Sequence, residues 1–255
     1  MQVIDMPGRP PIGKPDLERL RVRFIKNDRL AYLGHLEVIN TISRSVRRAK
    51  MPFSVGNGFA QRMRIQFSQA LPVGAASTCE YYDLYLTERV DEGEAFELLR
   101  ASTPKAMAPT EAHFVKSKLP ALEAWLTRSD WDIRLFGRDF DASALGLALE
   151  DLKGIGKIDF MRGDKPRSIG LDSTLVSWAL EDCEKEGESD CVHMTLKTRS
   201  SNLGALRPAV LLEAAFKTPV LAGAMLDSTR VLRQGQWNEA EDGSLIDPFD
   251  PGQLL

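Results

Sequence analysis

The feature that most constrains this chain is a switch of apolar period that runs in the same order twice. Arg19 to Lys26 puts Leu20, Val22 and Phe24 on one side and Arg19, Arg21 and Arg23 on the other, the alternation of a half-buried strand. From Gly34 to Lys50 the apolar residues Val38, Ile39, Ile42, Val46 and Ala49 recur at helical spacing. Gly34 and Glu37 stand where an N-cap and the third residue of a capping box belong, and Met51-Pro52 ends the run. Arg62 to Ser68 and Tyr81 to Leu86 alternate again, joined through Leu71-Pro72-Val73-Gly74. Asp91 to Ser102 is an amphipathic helix through Ala95, Phe96, Leu98 and Leu99, and Glu111 to Lys116 has strand character.

A similar order follows the Leu119 to Leu126 connector. Trp131 to Phe136 reads as a strand, Ala142 to Leu152 as a helix, and Lys157 to Arg162 and Ile169 to Leu180 as strand material. Cys191 to Thr198, a helix over Pro208 to Phe216 and a strand around Thr229 to Arg233 complete it. Two β-α-β-β-α-β units predict an α+β protein of two tandem ferredoxin-like halves, each an antiparallel four-stranded sheet backed by two helices. The expected organisation is a disordered leader over 1–16, a basic domain over 17–118, an acidic domain over 119–238 and a loose acidic tail over 239–255.

Charge separates the two units. The net charge of −3 hides 13 Lys or Arg against 5 Asp or Glu in the first 70 residues and 20 against 31 in the rest, or +8 against −11. The split points to a polyanion at the amino end, or to opposite charges facing each other between the halves. No apolar run approaches the roughly 20 residues of a membrane span, and the proline-bearing start lacks a signal-peptide pattern, so a cytoplasmic protein is expected. Cys79, Cys183 and Cys191 lack metal-site spacing and read as reduced thiols; no metal and no cofactor is expected.

In the ferredoxin-like arrangement the helix-free face of the first sheet would display Arg21 and Arg23, then Tyr81, Asp83 and Tyr85, then Arg62 and Arg64. Tyrosine rings stack on unpaired bases and guanidinium groups fork onto phosphates, so this is an RNA platform in prospect. The competing reading is cross-strand Arg–Asp pairing beneath other structure, with Asp83 neutralising a neighbour. Gly56-Asn57-Gly58-Phe59 can turn N–H groups toward an anion just before Arg62 and Arg64, although Gly-Asn-Gly is also an ordinary turn. Asn40, Arg44, Arg47 and Arg48 lie opposite the apolar stripe of the first helix, as a phosphate-backbone contact or as a solvated face. His35, with Tyr32 nearby, is placed to move a proton; it also falls on the apolar sector, which favours a structural histidine. His113 and His193 read as structural.

From Leu20 to Gly74 the chain resembles the radical SAM-linked protein family, domain of unknown function 2344. The resemblance rests on the basic strand, Tyr32-Leu33-Gly34-His35-Leu36-Glu37, Arg47-Arg48-Ala49, Gly58-Phe59 with Arg62 and Arg64, and Ala70-Leu71-Pro72-Val73-Gly74. It continues more weakly through Arg167 to Leu180 and Leu206-Arg207-Pro208, covering about residues 17 to 235. Ala60-Gln61 replace the family's usual His-Pro, and Gly34 replaces its usual Ser cap. The resemblance implies a partner radical SAM protein acting on RNA or near RNA processing. The chain lacks the three-cysteine motif of a radical SAM cluster, which makes it an accessory and not the enzyme. In strand order and glycine loop it also looks like the RAMP superfamily of CRISPR RNA-processing proteins.

Three functions follow as expectations. The first is a non-catalytic RNA-binding module using Arg21, Arg23, Arg44, Arg47, Arg48, Arg62, Arg64, Tyr81 and Tyr85, with phosphate also at Gly56, Gly58 and Phe59. The second is a metal-independent endoribonuclease in which His35 moves a proton, Tyr32 assists and Arg62 or Arg64 stabilises charge. The third is a protein-interaction scaffold without nucleic acid.

Overall fold

In the computed structural model, residues 17–56, 61–187, 189–201, 204–250 and 252–255 are described. The leader expected over 1–16 lies outside them, as do Gly58 and Phe59. The first half runs β1 (Glu18–Lys26), α1 (His35–Arg48), β2 (Ile65–Phe67), β3 (Ala76–Leu86), α2 (Glu92–Ser102) and β4 (Pro109–Val115). A short α3 (Leu122–Trp125) leads to β5 (Arg128–Arg138), α4 (Ala142–Ile155), β6 (Lys157–Arg162), β7 (Lys165–Gly170), α5 (Leu171–Thr174) and β8 (Leu175–Glu186). Then come β9 (Ser189–Ser201), β10 (Gly204–Ala205), α6 (Pro208–Ala215), β11 (Met225–Glu239) and β12 (Leu245–Ile246).

The mixed α+β class holds, with one large, mostly antiparallel sheet. Ten strands share it along the path β10-β9-β5-β11-β3-β1-β4, with β2 on β3, β8 on β9 and β12 on β11, while β6 and β7 form a separate hairpin. The expectation of two separate sheets is therefore corrected. β11 lies antiparallel to β5 over most of its length and then meets β3 in parallel, through Leu232 opposite Ala76 and Arg233 opposite Ser77.

Each half keeps its own core on the helix side of the sheet. Leu20, Val22 and Phe24 of β1 and Tyr82, Leu84 and Leu86 of β3 meet Val38, Ile42 and Val46 of α1 and Ala95 and Leu99 of α2. Trp131, Ile133 and Leu135 of β5 meet Leu145, Leu149 and Leu152 of α4 and Leu211 and Leu212 of α6. The alternation in the sequence causes this, because each strand turns every second residue to its helices. The α1 start is capped from one side only: Gly34 has no side chain, and its N–H donates to the Glu37 carboxylate (2.7 Å).

The stretch expected as one strand from Ile169 to Leu180 is divided by the turn of α5. Gly163, at φ +60°, closes the β6–β7 hairpin with Arg162 opposite Lys165, a turn that the Gly-Asp pair favours. Cys183 and Cys191, expected as free thiols, form a disulfide across β8 and β9, where the register sets them directly opposite. Cys79 is free and buried, and burial pushes its thiol up to about 12.

The tail is not loose either. Glu239 accepts from Arg199 Nη2 (2.7 Å) and Arg128 Nη1 (2.9 Å), and β12 pairs back onto β11. Phe249 packs against Tyr81 and His113, and Leu254 bridges to Val115. No helix among the described residues is long and apolar enough to cross a membrane.

Candidate functional site

The helix-free face of β1 and β3 is closed. Arg19 and Arg21 are each 1% exposed and Asp83 is fully buried between them. Asp83 accepts from Arg19 Nε (2.7 Å) and Arg21 Nε (2.8 Å). Arg21 Nη2 also donates to Asp83 (3.1 Å), while Arg19 Nη1 and Nη2 and Arg21 Nη1 donate to the carbonyls of Leu119, Pro120 and Pro248, so the connector before α3 and the tail each satisfy part of the buried charge. Tyr81 is buried with Leu122, Leu126, Trp125 and Phe249; its hydroxyl accepts from Arg23 Nε (2.8 Å), and burial raises its pKa. Arg23 continues to Glu111 and Asp247, and Arg19 lies over the half-buried Tyr85 ring.

This corrects the platform read from sequence. Arg21 and Tyr81 cannot reach a ligand without unpacking, and Arg23 is already matched by two carboxylates. Gly56 is corrected too, because its N–H donates to the Arg62 carbonyl (2.8 Å) and is not aimed at an anion.

Other arginines remain outside. Arg44, Arg47, Arg48 and Arg62 are exposed and Arg64 is half-buried, and none of the five has a carboxylate partner among the described residues. Helical spacing puts Arg44, Arg47 and Arg48 on the side of α1 away from its core stripe. Arg47 and Arg48 hydrogen-bond only within their own helix, and Arg47 lies over Phe53. Arg62 and Arg64 flank the buried Met63, which pairs with Val55, so period two turns both toward the helix-free side.

His35, expected on the apolar sector, is exposed and stands edge-on to Phe67 at 6.0 Å between ring centres. Tyr32 is 71% exposed and has no hydrogen bond to His35, Arg62 or Arg64 among the described residues. No proton relay among these residues is assembled. His35 instead rims a cavity of about 20 Å3 that reaches Lys26, Ser68, Gln69 and Glu80, room for about one water.

Lys26 is 1% exposed and donates to the Ala31 carbonyl (2.7 Å). Burial lowers its pKa, opposed by Glu80. Glu80 in turn accepts from Arg233 Nη2 (2.6 Å), which also donates to the Gln69 carbonyl (2.9 Å). Sequence reading missed Lys26, Glu80 and Arg233, since only strand register brings them together. It also missed that His193 lies 2.7 Å from both Glu181 and Asp132, and His113 2.8 Å from Glu92 and 3.3 Å from Glu111. The Glu111-x-His113 spacing on one strand was the available signal. No group of three or more His, Cys, Asp or Glu among the described residues is arranged to hold a metal.

Residues 19–208 match the family described as an uncharacterized protein conserved in bacteria (DUF2344). The chain belongs to this family. Curated proteins give no match to it. Among solved structures, a Cbf5-Nop10-Gar1 complex aligns at TM-score 0.42 and 9% identity over 87% of this chain and 50% of that one, so the chain spans about half its length. An unknown protein from Galdieria sulphuraria aligns at TM-score 0.25 and 10% identity, covering 86% of this chain and 99% of that one. A DypB variant from Rhodococcus jostii RHA1 in complex with heme reaches 0.21 and 11%, over 86% and 92%. None of these is close enough to carry functional meaning.

Proposed function

We propose that this member of the DUF2344 family is a non-catalytic RNA-binding module that meets RNA through Arg44, Arg47, Arg48, Arg62 and Arg64. The observation that carries the reading is a contrast in pairing. Arg19, Arg21, Arg23 and Arg233 are each matched to a carboxylate, while these five are not. Unpaired guanidinium groups on exposed sites retain their charge for phosphates, and a row at helical spacing suits a backbone track. A partner radical SAM or RNA-processing enzyme supplies the chemistry in this proposal; the sequence resemblance supports that part. With it comes a cytoplasmic location, where the Cys183–Cys191 bridge meets a reducing thiol pool.

We also read the two halves as ferredoxin-like. The strand orders β4-β1-β3-β2 and β11-β5-β9-β8 support this, with the β6–β7 hairpin and α5 inserted into the second.

The test is a fluorescence titration with single-stranded and stem-loop RNA from 50 to 200 mM salt. Binding falls with salt, and Arg44→Ala/Arg47→Ala/Arg48→Ala flattens the slope of log affinity against log salt by about 1 for each phosphate that an arginine no longer neutralises. No binding at the lowest salt, or unchanged binding after all five arginines are replaced, overturns the proposal. Capture of an acidic protein after nuclease treatment, with no RNA bound, would favour the scaffold instead.

A further inference from the structure

A cleft of about 670 Å3 opens between the β6–β7 hairpin, the start of α6 and the loop before β3. That volume lies within the range of about 300–1,000 Å3 typical of small-ligand sites. Its chemistry follows from hairpin register. Ile158 opposite Ile169, Phe160 opposite Arg167 and Arg162 opposite Lys165 share one face of the hairpin, apolar at the root and basic toward the tip. Ile169 is buried and Phe160 half-buried, while Arg162 and Arg167 stay exposed along the cleft. Arg207 lines the cleft from α6, exposed and immediately ahead of Pro208.

Arg162, Arg167 and Arg207 have no hydrogen bond or ion pair from their side chains among the described residues. Four arginines line the cleft, but Arg233 is consumed by Glu80. Two carboxylates line it as well, of which Glu213 is taken by Lys217 (2.6 Å) and Glu123 is left. Three open guanidinium groups against one open carboxylate leave an excess of two positive charges, which a phosphate monoester dianion matches. Forked N–H donors suit its oxygens, and the Phe160 ring beside Arg167 offers a flat apolar surface for an aromatic base on the same sugar.

We propose that this cleft binds a terminal phosphate monoester on a sugar that also carries a flat aromatic base, the chemistry shared by a nucleoside monophosphate and the 5′-phosphorylated end of an RNA. The site shares no arginine with the RNA-binding surface proposed above and stands or falls separately.

Isothermal titration of the full chain with AMP, with a 5′-phosphorylated oligoribonucleotide and with the same oligonucleotide ending in a 5′-hydroxyl tests it. The expected result is binding of AMP, of the phosphorylated oligonucleotide about tenfold more tightly than its hydroxyl counterpart, or of both. AMP alone identifies a free nucleotide as the source, and the phosphorylated oligonucleotide alone identifies an RNA end. Arg167→Ala/Arg207→Ala removes this preference by about tenfold or more, whereas Arg44→Ala/Arg47→Ala/Arg48→Ala leaves it intact. Every arginine replaced in these two variants is exposed, so circular dichroism is expected to show folded proteins. No AMP binding together with equal affinity for the two oligonucleotides overturns the proposal, as does a preference that survives Arg167→Ala/Arg207→Ala. Loss of general RNA binding with the phosphate preference retained sinks only the earlier reading.

Discussion

The two halves of the sheet carry the same alternation of charge and treat it in opposite ways. On β1 and β3 the helix-free side is sealed, with Arg19, Arg21 and Tyr81 at 1% exposure under α3 and the tail. On β5 and β9 the corresponding side leaves Arg134 and Lys197 exposed and His193 partly so. Both faces carry basic side chains. What differs is whether another segment lies across the strands, and that decides whether an arginine is part of the interior or available to a ligand.

Asp83→Ala attacks the sealed face where it is most exposed to failure, because two buried guanidinium groups lose their shared carboxylate. The expected loss is about 3–5 kcal/mol in urea unfolding, against within about 0.5 kcal/mol for Arg134→Ala on the open face. Equal effects would erase the contrast. Acid probes the far end of the open half, where the Arg199 hydrogen bonds, with help from Arg128, hold the Glu239 carboxyl at about 2. Its folded value is depressed, so this contribution is present above the ordinary carboxylate range and is lost as pH falls toward about 2. Glu239→Gln should reduce stability at neutral pH by about 2 kcal/mol and flatten the acid limb of the unfolding curve.

Phe249→Ala loosens the cover rather than the charge. The ring packs on Tyr81, His113 and Arg23, so a loss of about 1 kcal/mol is expected by thermal melting. A sharper readout is Cys79: burial suppresses its thiolate, so slow iodoacetamide labelling is expected in the native protein and faster labelling once the cover opens. The smallest effect is at His193, whose pKa Glu181 and Asp132 raise. Its stabilisation is complete below the ordinary histidine value and disappears as pH rises through the raised one. His193→Gln should abolish that slope in denaturation series spanning neutral pH, and an unchanged slope assigns it elsewhere.

Much of this fold was legible because period and caps are local. α1, α2, α4 and α6 fall within a few residues of their apolar stripes, and β6 matches its expected span from Lys157 to Arg162. Cover is not local. Arg21, Tyr81 and Asp83 were placed on one face correctly, but the Pro248 carbonyl and the Phe249 ring that close it come from the far end of the chain. The same holds for Cys183 and Cys191, whose juxtaposition depends on the β8–β9 register. The cleft was invisible for a further reason: the strand over Lys157 to Arg162 was legible, but only the folded chain brings the exposed Arg162 and Arg167 of the hairpin beside Arg207.

β11 also has a mechanical consequence. It forms an edge-to-edge ladder with β5 and lends Leu232 and Arg233 to the neighbouring half, where Arg233 grips the buried Glu80. Pulling the halves apart would break this buried, doubly hydrogen-bonded ion pair together with the β11–β3 ladder, so neither half keeps its junction contacts alone. Calorimetry of the intact chain should therefore give one heat-absorption peak, with Arg233→Met the substitution that splits it in two.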